Sequence, residues 1–513
     1  MDGAYQSLDD SVPAAVPEDL VKYLRLALVI AVLLAGLGWG LAKLDGPAPH
    51  SGNPAALALC DDGTRDLNAL RLQDAVRKLG QCLEMDPSLA EAAIARTMAF
   101  YRLGERRNMK VELARADSLV QAIRDDDRRM VAQLRMGAFR RSRYFTDRDS
   151  LLARLRKEQP RNIHVLVAVA AQATRADDQD AAEQAWLDIL DIDPNYAISY
   201  NMLGYMELGR GRFDEAIDYM QKYAFLSPGL ANARDSLGEI LMVMGRYEEA
   251  EAEFLASVSM QPDFYQSLIN LGGSYLVRGQ FVRGLDILEK VRTQVAGSDL
   301  EMLVDLMIIR TFRELGLAEE TQRATAGYIS RYPDDKLSVR MRCFRLAELG
   351  QADRGRAVVD SARAVWREDD GDQGAGEGDE VIDSDVFQFE ARVADARGDV
   401  QAGAGAWRRA IEALAAKPYH ERWYLHRRLA ADLLAGGEAA TALVELDRML
   451  AVNPRLVAAL VLKVECHLEL RQGAAARAAL ERLKWCLGGS DPEFPARREV
   501  DRLEARMSAV AGG

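Results

Sequence analysis

Apolar residues recur at spacings of three and four through NYAISYNMLGYMELG (195–209) and again through FDEAIDYMQKYAFL (213–226), with a Gly-bearing turn between the two runs. This spacing predicts two amphipathic helices joined by a tight turn. The couplet repeats. Pro160, Pro194, Pro228 and Pro262 stand 34 residues apart, and Leu203-Gly204, Leu237-Gly238 and Leu271-Gly272 keep the same beat. So do Gly211-x-Phe213, Gly245-x-Tyr247 and Gly279-x-Phe281, while Ala182, Ala216 and Ala250 each lie 12 residues before their proline. A fixed period of this length predicts stacked repeats, about twelve helix pairs between 56 and 490. Gly204 and Gly238 are expected where the paired helices cross closest, with Ala216 and Ala250 on the facing helix and Phe213 and Tyr247 as wedges. Each proline ends the second helix because it has no N–H to donate within a helix interior.

In the runs LGYMELGRGRFDEAI (203–217) and LGEILMVMGRYEEAE (237–251) the sequence resembles the tetratricopeptide repeat family, across 163–298. The offsets return at Gly63, Ala75, Leu79 and Pro87, and at Ala430, Ala442, Leu446 and Pro454. The resemblance implies an all-α solenoid of helix-turn-helix repeats wound in a right-handed superhelix. The register is interrupted where Pro87 to Pro160 spans 73 residues and Pro262 to Pro333 spans 71. Such units bury their apolar faces only against neighbours, so the ends need polar caps. The helix expected over 496–510, apolar at Val500, Leu503, Met507 and Val510, fits one. The main array is expected over 56–366 and a smaller one over 386–490, with a cap and tail at 491–513. Between the arrays, 367–385 reads as an acidic linker: Glu368 to Asp385 holds nine acidic residues, four glycines and no basic residue.

Leu26 to Ala42 is uncharged for 17 residues, and 23–44 reaches the roughly 20 residues needed to cross a bilayer core. This predicts one transmembrane helix after a cytoplasmic tail (1–22) and before a linker (45–55). A cleaved signal peptide is the rival, but the apolar run exceeds an ordinary signal core and no A-x-A site follows it. Lys22 and Arg25 precede the span and only Lys43 follows closely, so the repeats are expected outside the cytoplasm of a bacterial inner membrane. Gly36 and Gly40 have the spacing of a helix–helix contact, which would permit an anchor-mediated dimer.

With Lys+Arg 66 against Asp+Glu 79 the net charge is -13, which excludes a dedicated nucleic-acid binder because phosphate contacts need a basic surface. Only Arg135 to Lys157 is locally basic, with eight basic residues against two acidic. Five cysteines give neither a disulfide framework nor zinc spacing. Cys60 and Cys82 fall on the two antiparallel helices of the first repeat, at opposite distances from their turn, where their side chains could meet; an oxidising compartment permits a disulfide there, and the alternative is two separately buried thiols. Five histidines (His50, His164, His420, His426, His467) stand in no nucleophile or HExxH arrangement. GRGRF at Gly209 and GAGAW at Gly403 lack the strand that a dinucleotide fingerprint requires. No catalytic, metal or cofactor site is expected.

The first helix of each pair lines the inner surface in the family this chain resembles. The positions expected to face a peptide there are Asn201, Tyr205, Asp235, Glu239, Gln266 and Asn270. They are acidic or neutral, unlike the Lys, Asn and Arg with which some relatives hold a terminal carboxylate. The function expected is a membrane-anchored scaffold that binds proteins and assembles complexes in the envelope. The alternatives are a sensory module working with a separate kinase or regulator, and an accessory platform for secretion or polymer export. Only about 22 residues precede the anchor, too few for a kinase or helix-turn-helix domain of its own.

Overall fold

The computed structural model describes residues 53–68, 71–103, 105–139, 142–176, 178–296, 299–315, 317–333, 336–358, 377–414 and 422–511. These are helical, with no strand among them. Successive helices pair: α1 (Pro54–Asn68) with α2 (Leu72–Met85), α3 (Ala90–Arg102) with α4 (Arg106–Ala122), α5 (Asp126–Met136) with α6 (Arg148–Glu158). Then come α7 (Ile163–Arg175) with α8 (Gln179–Ile192), α9 (Ala197–Arg210) with α10 (Phe213–Leu226), and α11 (Ala231–Val243) with α12 (Tyr247–Met260). They continue as α13 (Tyr265–Val277) with α14 (Phe281–Gln294), α15 (Asp299–Glu314) with α16 (Ala318–Arg331), and α17 (Lys336–Glu348). The rest are α18 (Glu377–Ala396) with α19 (Val400–Ala413), α20 (Trp423–Ala435) with α21 (Ala439–Val452), α22 (Val457–Glu469) with α23 (Gly473–Cys486), and α24 (Pro495–Ala511). The chain is an all-α helical-repeat solenoid.

The recurring glycine is a contact point. A Cβ added to Gly63 would lie 2.7 Å from Leu79 Cγ, at Gly238 2.6 Å from Phe254 Cε1, and at Gly272 2.7 Å from Leu288 Cγ. Each partner sits sixteen residues on, and Gly204 meets Met220 in the same relation. Ala75, Ala216 and Ala250, one turn before those partners, have no exposed surface. First helices end at Gly211, Gly245 and Gly279, whose φ of 77°, 74° and 75° is left-handed backbone that favours glycine. The following N–H closes each cap five residues back, as Arg246 does on Leu241 O at 2.9 Å. Second helices end two residues before Pro87, Pro160, Pro194, Pro228, Pro262, Pro333 and Pro454. The extra residues of the irregular periods go into lengthened helices, α4 with 17 residues and α15 with 16, and into the link from Gly137 to Asp147 between α5 and α6.

The described residues form two compact units: those up to Ile240 with Ala252–Ser267, and Leu241–Glu251 with those from Leu268 on. This differs from the division expected at the acidic stretch. Residues 377–385 open α18 instead of belonging to a linker, and Arg340 of α17 pairs with Asp385 of α18 at 2.7 Å, both side chains buried. The ion pair of Asp385 and the apolar positions that follow, Phe389 among them, hold this part of α18 against the fold. The remainder of the expected linker, up to 376, includes residues outside the described ones. So does the segment 23–44 with Gly36 and Gly40. Among the described residues no helix is long and apolar enough to cross a membrane.

Within the second unit, repeat edges far apart in sequence are fastened together. Asp491 N donates to Gly279 O at 2.9 Å, and Asp491 Oδ2 accepts from Val282 N at 3.1 Å. Phe494 stands edge-on to Phe281 with ring centroids 5.2 Å apart, and a Cβ on Gly279 would lie 2.4 Å from Phe494. A second fastening joins Asn453 Nδ2 to Tyr247 OH at 3.1 Å and Arg455 to Glu248 at 2.6 Å. Tyr247, expected as a wedge within its own pair, is thereby also a contact across the unit.

Gly238→Ala is expected to lower the unfolding midpoint, because forcing a methyl against the Phe254 ring costs about 1–3 kcal/mol. Gly229→Ala, whose Cβ would meet nothing within 4 Å, leaves the midpoint nearly unchanged; thermal melts followed by circular dichroism compare the two. Phe494→Ala, which empties a buried aromatic site at a cost of about 3–5 kcal/mol, should also accelerate hydrogen exchange at Gly279 to Val282, more than 200 residues away in sequence. Exchange confined to α24 would show that the fastening is not cooperative.

Candidate functional site

Two of the six inner-face candidates belong to a contact between repeats. Tyr205 OH donates to Glu239 Oε2 at 2.6 Å, tying α9 to α11 across one 34-residue period. Burial, followed by the Glu239 carboxylate, raises the Tyr205 phenol well above its usual range, so it stays a donor. Asp235 accepts from Ser267 at 2.7 Å, and the Ser267 hydroxyl stands 2.6 Å from that of Ser257. Ser257 in turn donates to Ala231 O at 2.9 Å.

Burial divides the candidates. Asn201 and Asp235 are 3% exposed and Asn270 5%, so these three are enclosed between helices and do not form part of an open inner face. Tyr205, Glu239 and Gln266 are half-buried and keep an edge toward solvent. The physical reason lies in stacking. A first helix packs against its own partner and against both neighbouring repeats, leaving a narrower free stripe than a helix covered on one side. Sequence spacing that treats the helix as covered on one side places too many polar residues outside.

Cys60 and Cys82 are free, buried thiols, hydrogen-bonded to one another. Their mutual hydrogen bond and burial push the Cys60 thiol up, and the same bond draws the Cys82 thiol down. The described residues of the locally basic stretch do not all face one surface. Arg135 and Arg148 are buried, each pushed down to about 10 by desolvation, and Phe139 is buried too. Arg143 and Arg154 pair with Asp117 and Glu158.

His426 is buried, its Nδ1 2.6 Å from Glu445 Oε2. His426 holds the Glu445 carboxyl below its usual range. His420 and His50 lie outside the described residues. Among the described residues no group of three or more His, Cys, Asp or Glu is arranged to hold a metal ion. The glycine run at Gly403 falls inside α19, where it serves packing: a Cβ on Gly403 would lie 2.6 Å from both Asp395 Oδ1 and Asp432 Oδ2. The two carboxylates converge over that glycine, with Arg428 paired to Asp395. Burial first, and the Asp395 charge second, raise Asp432 to about 7, with Arg428 opposing the shift. The sequence offered no signal for this pair, whose members are 37 residues apart on different helices.

Residues 170–231 and 236–299 match the family model of the tetratricopeptide repeat. No curated protein matches the chain. Solved structures similar to it include the APC/C hetero-tetramer Cut9-Hcn1, at 13% identity and TM-score 0.41 over 88% of this chain and 84% of that one. Yeast Tom70 is similar at 14% identity and TM-score 0.37, over 90% of this chain and 97% of its own. PilW, described as a widely conserved type IV pilus biogenesis factor, is similar at 19% identity and TM-score 0.35, over 41% and 96%. The family match covers the residues in which the glycine, alanine and proline columns keep step, and it is there that the chain is similar to tetratricopeptide repeats.

Asp432 makes stability depend on pH. Its folded pKa exceeds the unfolded one, so its contribution is fully present below about pH 4 and is lost as pH rises through about 7. The unfolding midpoint of the C-terminal repeats should therefore fall between pH 5 and 8, and Asp432→Asn should flatten that slope and raise the midpoint at pH 8. Equal slopes in chemical denaturation of the two proteins at pH 5 and 8 would remove Asp432 as the cause.

Proposed function

We propose that this chain is a non-enzymatic, membrane-anchored scaffold that assembles protein complexes in the bacterial envelope. Tetratricopeptide repeats mediate protein–protein interaction and complex assembly, and the observation that carries the reading is the repeat array itself. Its periodic glycines and prolines are spent on packing, and its polar row, Tyr205, Glu239 and Gln266, is half-buried and keeps a solvent-facing edge. A surface of half-buried amide, phenol and carboxylate groups suits a peptide or protein partner that supplies complementary donors. The uncharged run Leu26 to Ala42 supports a tether, and the basic residues before it support an array outside the cytoplasm. Display of repeats at a membrane, and no bond-making step, is the mechanism.

In that compartment the Cys60 and Cys82 thiols, hydrogen-bonded to one another, would be oxidised to a disulfide by exchange with the disulfide of an oxidising partner protein, which is itself reduced to its dithiol. A reporter active only outside the cytoplasm should work when fused after Gly513, and the array should be digested by protease added to spheroplasts. Carbonate washing should leave the chain in the membrane fraction, and the intact mass should be lower by the two hydrogens of a Cys60–Cys82 bond. Release by carbonate would remove the anchor, and an active cytoplasmic reporter would reverse the orientation.

A further inference from the structure

We propose that the groove formed by α21, α22 and α23 is a docking site for an acidic amphipathic helix of a partner protein, an inference that rests on the scaffold reading and gives it a location. The groove has a volume of about 500 Å³, and its floor is built from small and aliphatic side chains, Leu450, Leu460 and Ala475 among them. Alanine at 475, 478 and 479 lets a partner backbone come close, and three helices already in place offer ridges between which a fourth can lie.

Its rim is basic. Lys463 is satisfied by Asp447 at 2.6 Å, so that pair is neutral. Arg482, which lines the groove, donates from Nε to Pro454 O at 2.9 Å, a bond that orients the side chain without using its terminal nitrogens. His467 Nδ1 is engaged by Gln472 Oε1 at 2.7 Å, leaving Nε2 for a ligand. The surplus charge is positive, and its complement is a carboxylate.

One turn past Arg482 on α23, Trp485 is 65% exposed. Arg455 lies 4.9 Å from its ring centroid while pairing with Glu248 and covering Tyr247 at 4.8 Å. An exposed indole already held flat loses little freedom when a partner covers it, and large rigid aromatics beside arginine are the residues on which interfaces concentrate their affinity. Apolar floor, cationic rim and a fixed exposed tryptophan together fit a helix carrying leucine on one face and glutamate at its flanks.

The test uses the full chain in nanodiscs of zwitterionic lipid, with empty nanodiscs as the blank. The probes are two fluorescein-labelled 16-residue amphipathic peptides, one with leucine and glutamate and one with lysine at every glutamate. Saturable anisotropy is expected for the glutamate peptide, with at least tenfold weaker binding of the lysine peptide. Arg482→Glu and Trp485→Ala should each weaken the glutamate peptide at least tenfold while their thermal melts match the parent, since both side chains are exposed. Equal binding of the two peptides, or unchanged binding by both variants, would overturn the site. Capture from envelope extracts separates the two readings: the same proteins recovered by parent and by the double variant would leave the scaffold standing and remove the groove, whereas none recovered by the parent would remove the scaffold itself.

Discussion

Everything in this molecule depends on how closely two helices of a pair can approach. A glycine on the first helix receives the side chain sixteen residues on, Leu79, Met220, Phe254 or Leu288, with less room than one methyl group requires. That contact fixes the tilt of the pair, and the tilt fixes which positions of the first helix remain for the neighbouring repeats. The polar residues buried between repeats follow from it. Asp235 with Ser267 and Ser257 is a hydrogen-bonded array inside the stack, where an unsatisfied carboxylate would be far more costly than one in water. The same closeness that makes the pairs rigid therefore removes three of the six inner-face candidates from any partner's reach.

A stack of repeats has a second constraint: each unit is supported only by its neighbours. The second unit meets it by adding contacts across large sequence separations. The left-handed turn glycines that end α11 and α13 present bare backbone, and Asn453 and Phe494 occupy that space, at distances a Cβ would forbid. Gly245 and Gly279 thus serve the cap and the fastening at once. Farther along, Arg392 is fully buried between Phe344, Trp407 and Tyr424, with its guanidinium donating to Tyr424 OH and Gln388 O, each at 3.0 Å. Arginine can do this because its flat, weakly hydrated cation stacks on rings and still satisfies its donors.

The helix pairs were legible because their determinants are local and periodic. The prolines two residues after seven of the second helices and the left-handed glycines at the tight turns meet conformational requirements that a chain segment must satisfy by itself. The contact of Cys60 with Cys82 was legible for the same reason, since one antiparallel pair brings them together. What was not legible depends on several elements at once. Asn201 and Asn270 look like surface residues on a helical wheel and become buried only when both adjacent repeats are present. The acidic residues up to Asp385 read as a solvated linker because composition cannot show that Arg340 waits for one of them. The Asp395–Asp432 pair has no sequence signature, because nothing in spacing says that two carboxylates will converge over Gly403.

These constraints bear on how the protein recognises anything. The chain is acidic overall, yet many of its arginines are already committed: Arg278 to Glu251, Arg331 and Arg292 to Asp305, Arg502 and Arg506 to Glu465. Charges engaged in the stack are held for architecture, and pulling one away to greet a partner would strip a carboxylate such as the buried Asp305 of one of its two arginines. Recognition therefore falls to groups whose internal bonds fix their direction without using up their capacity. An arginine tied by one nitrogen keeps its others, as Arg482 does, and a tryptophan held by stacking keeps its open face. Residues of this kind are sparse on a repeat solenoid, and their positions narrow the partner's chemistry more than the fold does.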